Sequence, residues 1–84
     1  MPYIKKEFRE QYDRILNQMP DINNKGDLEY CLFKLLKRFM KTRELKYSTL
    51  HEAVYSATHV ADEFRRCYLD KREDEVREIN GDVE

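Results

Sequence analysis

From Ser48 to Asn80 the chain holds neither glycine nor proline, and its apolar residues recur at alternating steps of four and three. The series is Leu50, Val54, Ala57, Ala61, Phe64 and Tyr68. Such spacing keeps one stripe of a helix apolar over many turns, as in a coiled-coil seam. A strand cannot use it, because its side chains alternate between two faces. The spacing predicts one helix over residues 49–78, roughly 45 Å long at about 1.5 Å per residue. A second stripe, Ala53, Ala57, Val60, Phe64 and Cys67, runs beside the first, and its alanines permit close approach of another helix. Phe64 lies where the stripes cross, which predicts its burial against the two preceding helices. Thr49 followed by Glu52 fits a capping box at the start of the helix.

Two shorter helices precede it. Phe8, Tyr12, Ile15, Leu16 and Met19 form a stripe that predicts a helix over residues 5–19. Pro20 and the run from Asp21 to Gly26 stop it, since proline lacks a backbone donor and Asn and Gly favour turns. Ile22 in this run is expected to plug the core. Asp27 is placed to cap a second helix over residues 27–42, with Leu28, Cys31, Leu32, Leu35, Leu36 and Phe39 on its apolar face. Phe33 and Met40 widen that face beyond what one packing partner can cover. The fold expected is all-α, a single helical domain over residues 1–84 with three helices and a long C-terminal one.

Two short helices cannot cover a helix of that length, and Leu69, Val76 and Ile79 fall in its overhang. With 84 residues, 40% of them hydrophobic and 39% charged, the core is marginal for a self-sufficient domain. The expectation is a helical homo-oligomer assembled through the long helix. Cys31 and Cys67 sit among apolar residues with no CxxC spacing, which predicts buried, reduced thiols rather than a disulfide framework. No window approaches the roughly 18 uninterrupted apolar residues of a membrane span. No apolar segment of the signal-peptide kind follows Met1, so a cytosolic protein is expected, with no membrane partner.

Catalytic and metal chemistry find little footing. His51 and His59 stand eight residues apart, and only His59 with Glu63 has ligand spacing on one helix. That set is too small without a second subunit, and solvated histidines are the expectation, with no metal and no cofactor. Neither cysteine has a recognisable partner pattern, Ser48 and Thr49 read as caps, and Gly26 stands alone where a phosphate loop needs several glycines. The chain is not expected to be an enzyme.

Charge carries more information. The formal net charge is −1, which argues against DNA as a partner. It conceals a segregation: residues 34–47 hold six basic side chains and one acid, whereas residues 70–84 hold seven acids and three bases. Lys34, Arg38 and Lys41 recur at steps of four and three, with Lys37 beside them. The candidate anion site is Lys34, Lys37, Arg38 and Lys41 with Arg66, and Tyr30 and Tyr47 are available to stack on a base. The same basic face could instead receive the acidic tail of a neighbouring subunit, or remain solvated.

The opening Met1-Pro2-Tyr3-Ile4-Lys5 resembles the start of a small, uncharacterised protein family of bacteriophage and bacterial genomes. So do Gly26-Asp27-Leu28 with Tyr30, Glu63-Phe64 with Arg66, Glu73-Asp74, and the closing Asn80-Gly81-Asp82-Val83. The chain departs from that pattern at Glu29, where the family tends to carry Asn, and at Lys71-Arg72, where it tends to carry Pro-Tyr. Cys67 stands at the second place of a paired arginine. The resemblance implies a small helical phage-type protein and no established activity. Joined to the basic cluster, it leads to an expected non-catalytic binding role, sequestration of a small phosphorylated or nucleotide signal of host defence in the host-cell cytoplasm. The alternative is an inhibitor or adaptor that occupies a host protein through the acidic tail or the Leu69, Val76 and Ile79 strip.

Overall fold

Asn24 opens the first well-formed helix. Its side-chain oxygen accepts from the Asp27 amide at 2.8 Å, and its amide nitrogen donates to the Asp27 carboxylate at 3.1 Å. Two otherwise unpartnered groups of the first turn are thereby satisfied. Asp27 is therefore the cap's partner, not the cap itself, and the helix starts earlier than its apolar pattern predicts. This arrangement is from a computed structural model, which describes residues 2–83. The elements are a short 3-10 turn Lys6–Phe8, α1 Glu10–Leu16, α2 Lys25–Met40, α3 Tyr47–Phe64, a π turn Arg65–Leu69 and α4 Asp70–Asn80. No strand occurs among the described residues.

The first helix is shorter than its stripe predicts. No side chain caps α1, and the residue before Pro20 is biased away from helical backbone. Its apolar residues also find little to pack on: Phe8, Tyr12, Ile15 and Leu16 are all exposed. Without tertiary cover a helix this short lacks its main source of stability.

The last three elements form one continuous helix over residues 47–80, with helical backbone at both junctions. Its start is fixed by Thr49, whose hydroxyl oxygen accepts from the Lys46 amide at 3.1 Å and donates to the Glu44 carbonyl at 2.6 Å. The expected capping box of Thr49 and Glu52 is not the one that forms: Lys46 is the N-cap, and Thr49, three residues into the helix, bonds to the backbone of Lys46 and Glu44. The end is fixed by Gly81, at φ 91°, a conformation that glycine adopts without steric penalty. At residue 70 the amide reaches back to the Arg65 carbonyl, five residues away instead of four, which makes the π turn.

α2 folds back on the first part of this helix, the part that holds Ala53. At 6% exposure, Ala53 is the one buried hydrophobic residue among those described. Phe64, expected to be buried, is 65% exposed, and Ile22 is open rather than a core plug. The cause is extent. The long helix accounts for a molecular length of 50 Å, and α2 covers only part of its N-terminal half. A folded chain of 10.3 kDa exposes about 5,400 Å². This one exposes 8292 Å². Its radius of gyration is 16.8 Å, where a compact domain of this length has about 12 Å.

Candidate functional site

The helical steps 30, 34, 37, 38 and 41 place Tyr30, Lys34, Lys37, Arg38 and Lys41 along one side of α2 and its C-terminal continuation. They line an open groove of about 550 Å³, whose remaining walls are Met19, Cys31 and Leu35. An apolar floor is thus bordered by four cations. The Lys34 ammonium lies 5.9 Å from the centre of the Tyr30 ring, within reach of its negative face. Among the described residues, none of these four cations has a carboxylate partner. Neighbouring like charges at i+3 and i+4 repel, and an anion beside them would relieve that repulsion.

The other basic residues nearby are already engaged. The Arg43 guanidinium lies 3.7 Å from the Phe39 ring centre and donates to the Phe39 carbonyl. Lys46 pairs with Glu44 at 2.9 Å. The acidic end pairs within itself, Arg72 with Glu75 at 3.0 Å and Arg77 with Asp74 at 3.8 Å.

Two candidate residues lie apart from the groove. Tyr47 stands at the first turn of α3 and packs on His51, ring centres 4.1 Å apart, with Tyr55 on the far side of that imidazole. Arg66 donates to the Glu63 carboxylate at 2.5 Å and lines a shallow depression with His59, Asp62 and Glu63. No group of three or more His, Cys, Asp and Glu side chains is arranged to hold a metal ion among the described residues.

The pairing of Arg66 belongs to a cluster that the sequence pattern does not reveal. Tyr3 crosses the long helix and brings its hydroxyl to 3.6 Å from the Cys67 sulfur. Cys67 in turn donates to Glu63 at 3.4 Å. Glu63, Arg66 and Cys67 share one face at steps of three and four, which was legible; the arrival of Tyr3 from the other end of the chain was not. The Arg66 guanidinium, and secondarily the Cys67 thiol, hold the Glu63 carboxyl below its ordinary range. The Cys67 hydrogen bond, with some burial, raises the Tyr3 hydroxyl, and the same Glu63 contact raises Arg66. A carboxylate held in this way is a poor base, and the Tyr3–Cys67 contact joins the N-terminal segment to this cluster on the long helix. Cys31, Leu35 and Met19, which form the groove floor, were legible only as core positions.

No curated protein and no solved structure matches the chain. Residues 1–83 match a family described as Domain of unknown function (DUF6899). With nearly its whole length matched, from the Tyr3 contact through the α2 groove to the Gly81 stop, the chain belongs to that family.

Proposed function

We propose that the protein is a non-catalytic binding protein that works as a homo-oligomer and holds a small phosphorylated or nucleotide ligand on the basic groove of α2. The observation that carries this reading is the set of four cations without carboxylate partners around an apolar floor. Phosphate suits the cations, and Arg38 offers a planar donor fork. The Tyr30 ring and the Leu35 and Met19 side chains suit a base or another flat apolar group. The groove is short, so its ligand is small; a polyanion such as DNA would also meet the acidic end of the long helix. The resemblance to phage proteins supplies the setting, the host-cell cytoplasm, and a purpose, sequestering a nucleotide signal of host defence. No helix is long and apolar enough to cross a membrane among the described residues, which agrees with that setting.

The test is a thermal-shift and calorimetric series with inorganic phosphate, a nucleoside monophosphate and a cyclic dinucleotide. A nucleotide is expected to bind more tightly than phosphate alone. Arg38→Ala should weaken it about 10- to 100-fold, the loss of a charge-assisted hydrogen bond, with solution mass unchanged. Unaltered binding of the same nucleotide in both Arg38→Ala and Lys34→Ala would remove the groove from the mechanism. The alternative, an adaptor that occupies a host protein, rests on the uncovered Leu69, Val76 and Ile79 strip. It calls for a pull-down partner that is lost on mutating that strip and kept in Arg38→Ala.

A further inference from the structure

Apart from Ala53, where α2 folds back, and the half-buried Cys67, the apolar side chains of the long helix are largely uncovered, and three features of the chain say what covers them. The first is area. The chain exposes 8292 Å², about 2,900 Å² more than a compact chain of its mass. Two copies each contributing that excess would bury about 5,800 Å² in total, the scale of obligate homodimers and not of transient contacts.

The second feature is phase. The seam Leu50, Val54, Ala57, Ala61 and Phe64 would continue in a regular helix through Tyr68 to Lys71, Glu75 and Glu78, a charged dead end. The π turn at Arg65–Leu69 inserts one residue and rotates everything beyond it by about 100°. The seam then continues through Leu69, Arg72, Val76 and Ile79. Those three apolar residues fall into line with Leu50 and Phe64, although nothing in the chain packs on them. A corrected apolar phase serves a partner that lies along the entire length of the helix.

The third feature is charge. The basic residues Lys41, Arg43 and Lys46 sit at the N-terminal end of the long helix, and the acidic residues from Asp70 onward sit at its C-terminal end. Acids at a helix C-terminus oppose the helix dipole and gain from a nearby cation. A parallel pair would set acid against acid and base against base. An antiparallel pair sets each acidic end beside the partner's basic end.

We propose that the seam of the long helix is a self-complementary interface with a second copy of this chain, the two long helices antiparallel. The inference rests on the homo-oligomer reading and adds the surface and the orientation.

The test is pulsed electron-spin distance measurement on the full chain, in a Cys31→Ser, Cys67→Ser background, with a nitroxide on Ser48→Cys, Arg65→Cys or Glu78→Cys. Antiparallel packing gives long same-site distances at Ser48 and Glu78, approaching the roughly 45 Å between those positions along one helix, and a short one at Arg65. Mixing the Ser48 and Glu78 labels should give a short distance. Short same-site distances at all three positions would overturn the orientation and leave the homo-oligomer standing. A monomeric mass at micromolar concentration, measured on the unlabelled chain, would overturn both. Val54→Glu and Val76→Glu should each weaken assembly at least 100-fold with helicity retained; unchanged mass in both would overturn the surface.

Discussion

The π turn permits a sharp experiment. Deleting Tyr68 removes the surplus residue, so residues 47–80 can close into a regular α-helix with Leu69, Val76 and Ile79 still in line with Leu50 and Phe64. Inserting an alanine after Tyr68 adds a second surplus residue and turns the same three side chains about 100° off the seam. Full burial of such a side chain is worth about 1.5–3 kcal/mol. Leu69, Val76 and Ile79 are 45%, 37% and 76% exposed in the single chain, so about half of that value remains to be gained on assembly. The three together give about 3 kcal/mol per chain, or about 6 kcal/mol for a symmetric pair. At tenfold per 1.4 kcal/mol, the insertion should weaken association by up to about 10⁴-fold. Ordering of side chains at the interface reduces the figure, so a loss of at least about 100-fold is the expected outcome.

Sedimentation equilibrium across a concentration series measures the association directly, and circular dichroism checks that both variants remain helical. The deletion should associate within about tenfold of the parent, the aromatic contact between Phe64 and Tyr68 at 4.8 Å being its main loss. An insertion variant that assembles like the parent would refute the phase argument. So would a helical deletion variant that dissociates as fully as the insertion.

Two further outcomes follow from the fold. Ala53→Leu places extra carbon atoms at the most buried position of the long helix and should destabilise the fold by about 1–3 kcal/mol in a urea titration; an unchanged midpoint would mean the site is not close-packed. Glu63, held as a carboxylate by Arg66, should titrate below the ordinary carboxylate range in a carboxyl-carbon NMR series and return toward it in Arg66→Ala. Because its folded-state pKa is depressed, its contribution to stability is present above the ordinary carboxylate range and fades as pH falls through the lowered value.

The order and number of helices were legible because their signals are local: glycine and proline at the breaks, and apolar steps of three and four between them. What escaped the sequence depends on which surfaces meet. Asn24 outcompeted Asp27 as the cap because the two side chains bond to each other, and periodicity does not register that reciprocity. The first helix was overestimated because a stripe reports what a helix could bury, whereas α1 has almost nothing to bury against. Phe64 failed for the same reason: the crossing of two stripes marks it as an interface residue, and the chain alone does not supply the other side. In the groove, the four basic positions followed from spacing alone. Arg66 did not join them because it lies in the π turn, beyond the part of the long helix that α2 reaches, where it pairs with Glu63 instead.

One basic stretch can serve both a ligand and a partner because it is longer than the range of its own field. Lys34 lies six residues before the end of α2, about 9 Å along the axis, while Arg43 and Lys46 lie in the connector at the head of the long helix. At physiological ionic strength exposed charges are screened over about 8 Å. In the proposed antiparallel pair, a partner's acidic end at the connector would therefore act strongly on Lys41, Arg43 and Lys46 and weakly on Lys34 and Tyr30. Arg43 and Lys46 are also the two whose side chains are already turned to Phe39 and Glu44, which leaves Lys34, Lys37, Arg38 and Lys41 as the cations without such partners. The segregation of charge along a nearly neutral chain then has two physical consequences. In the proposed antiparallel pair the ends of the long helix would set the direction of pairing, and the middle of α2 would keep positive charge next to apolar surface for a small anion.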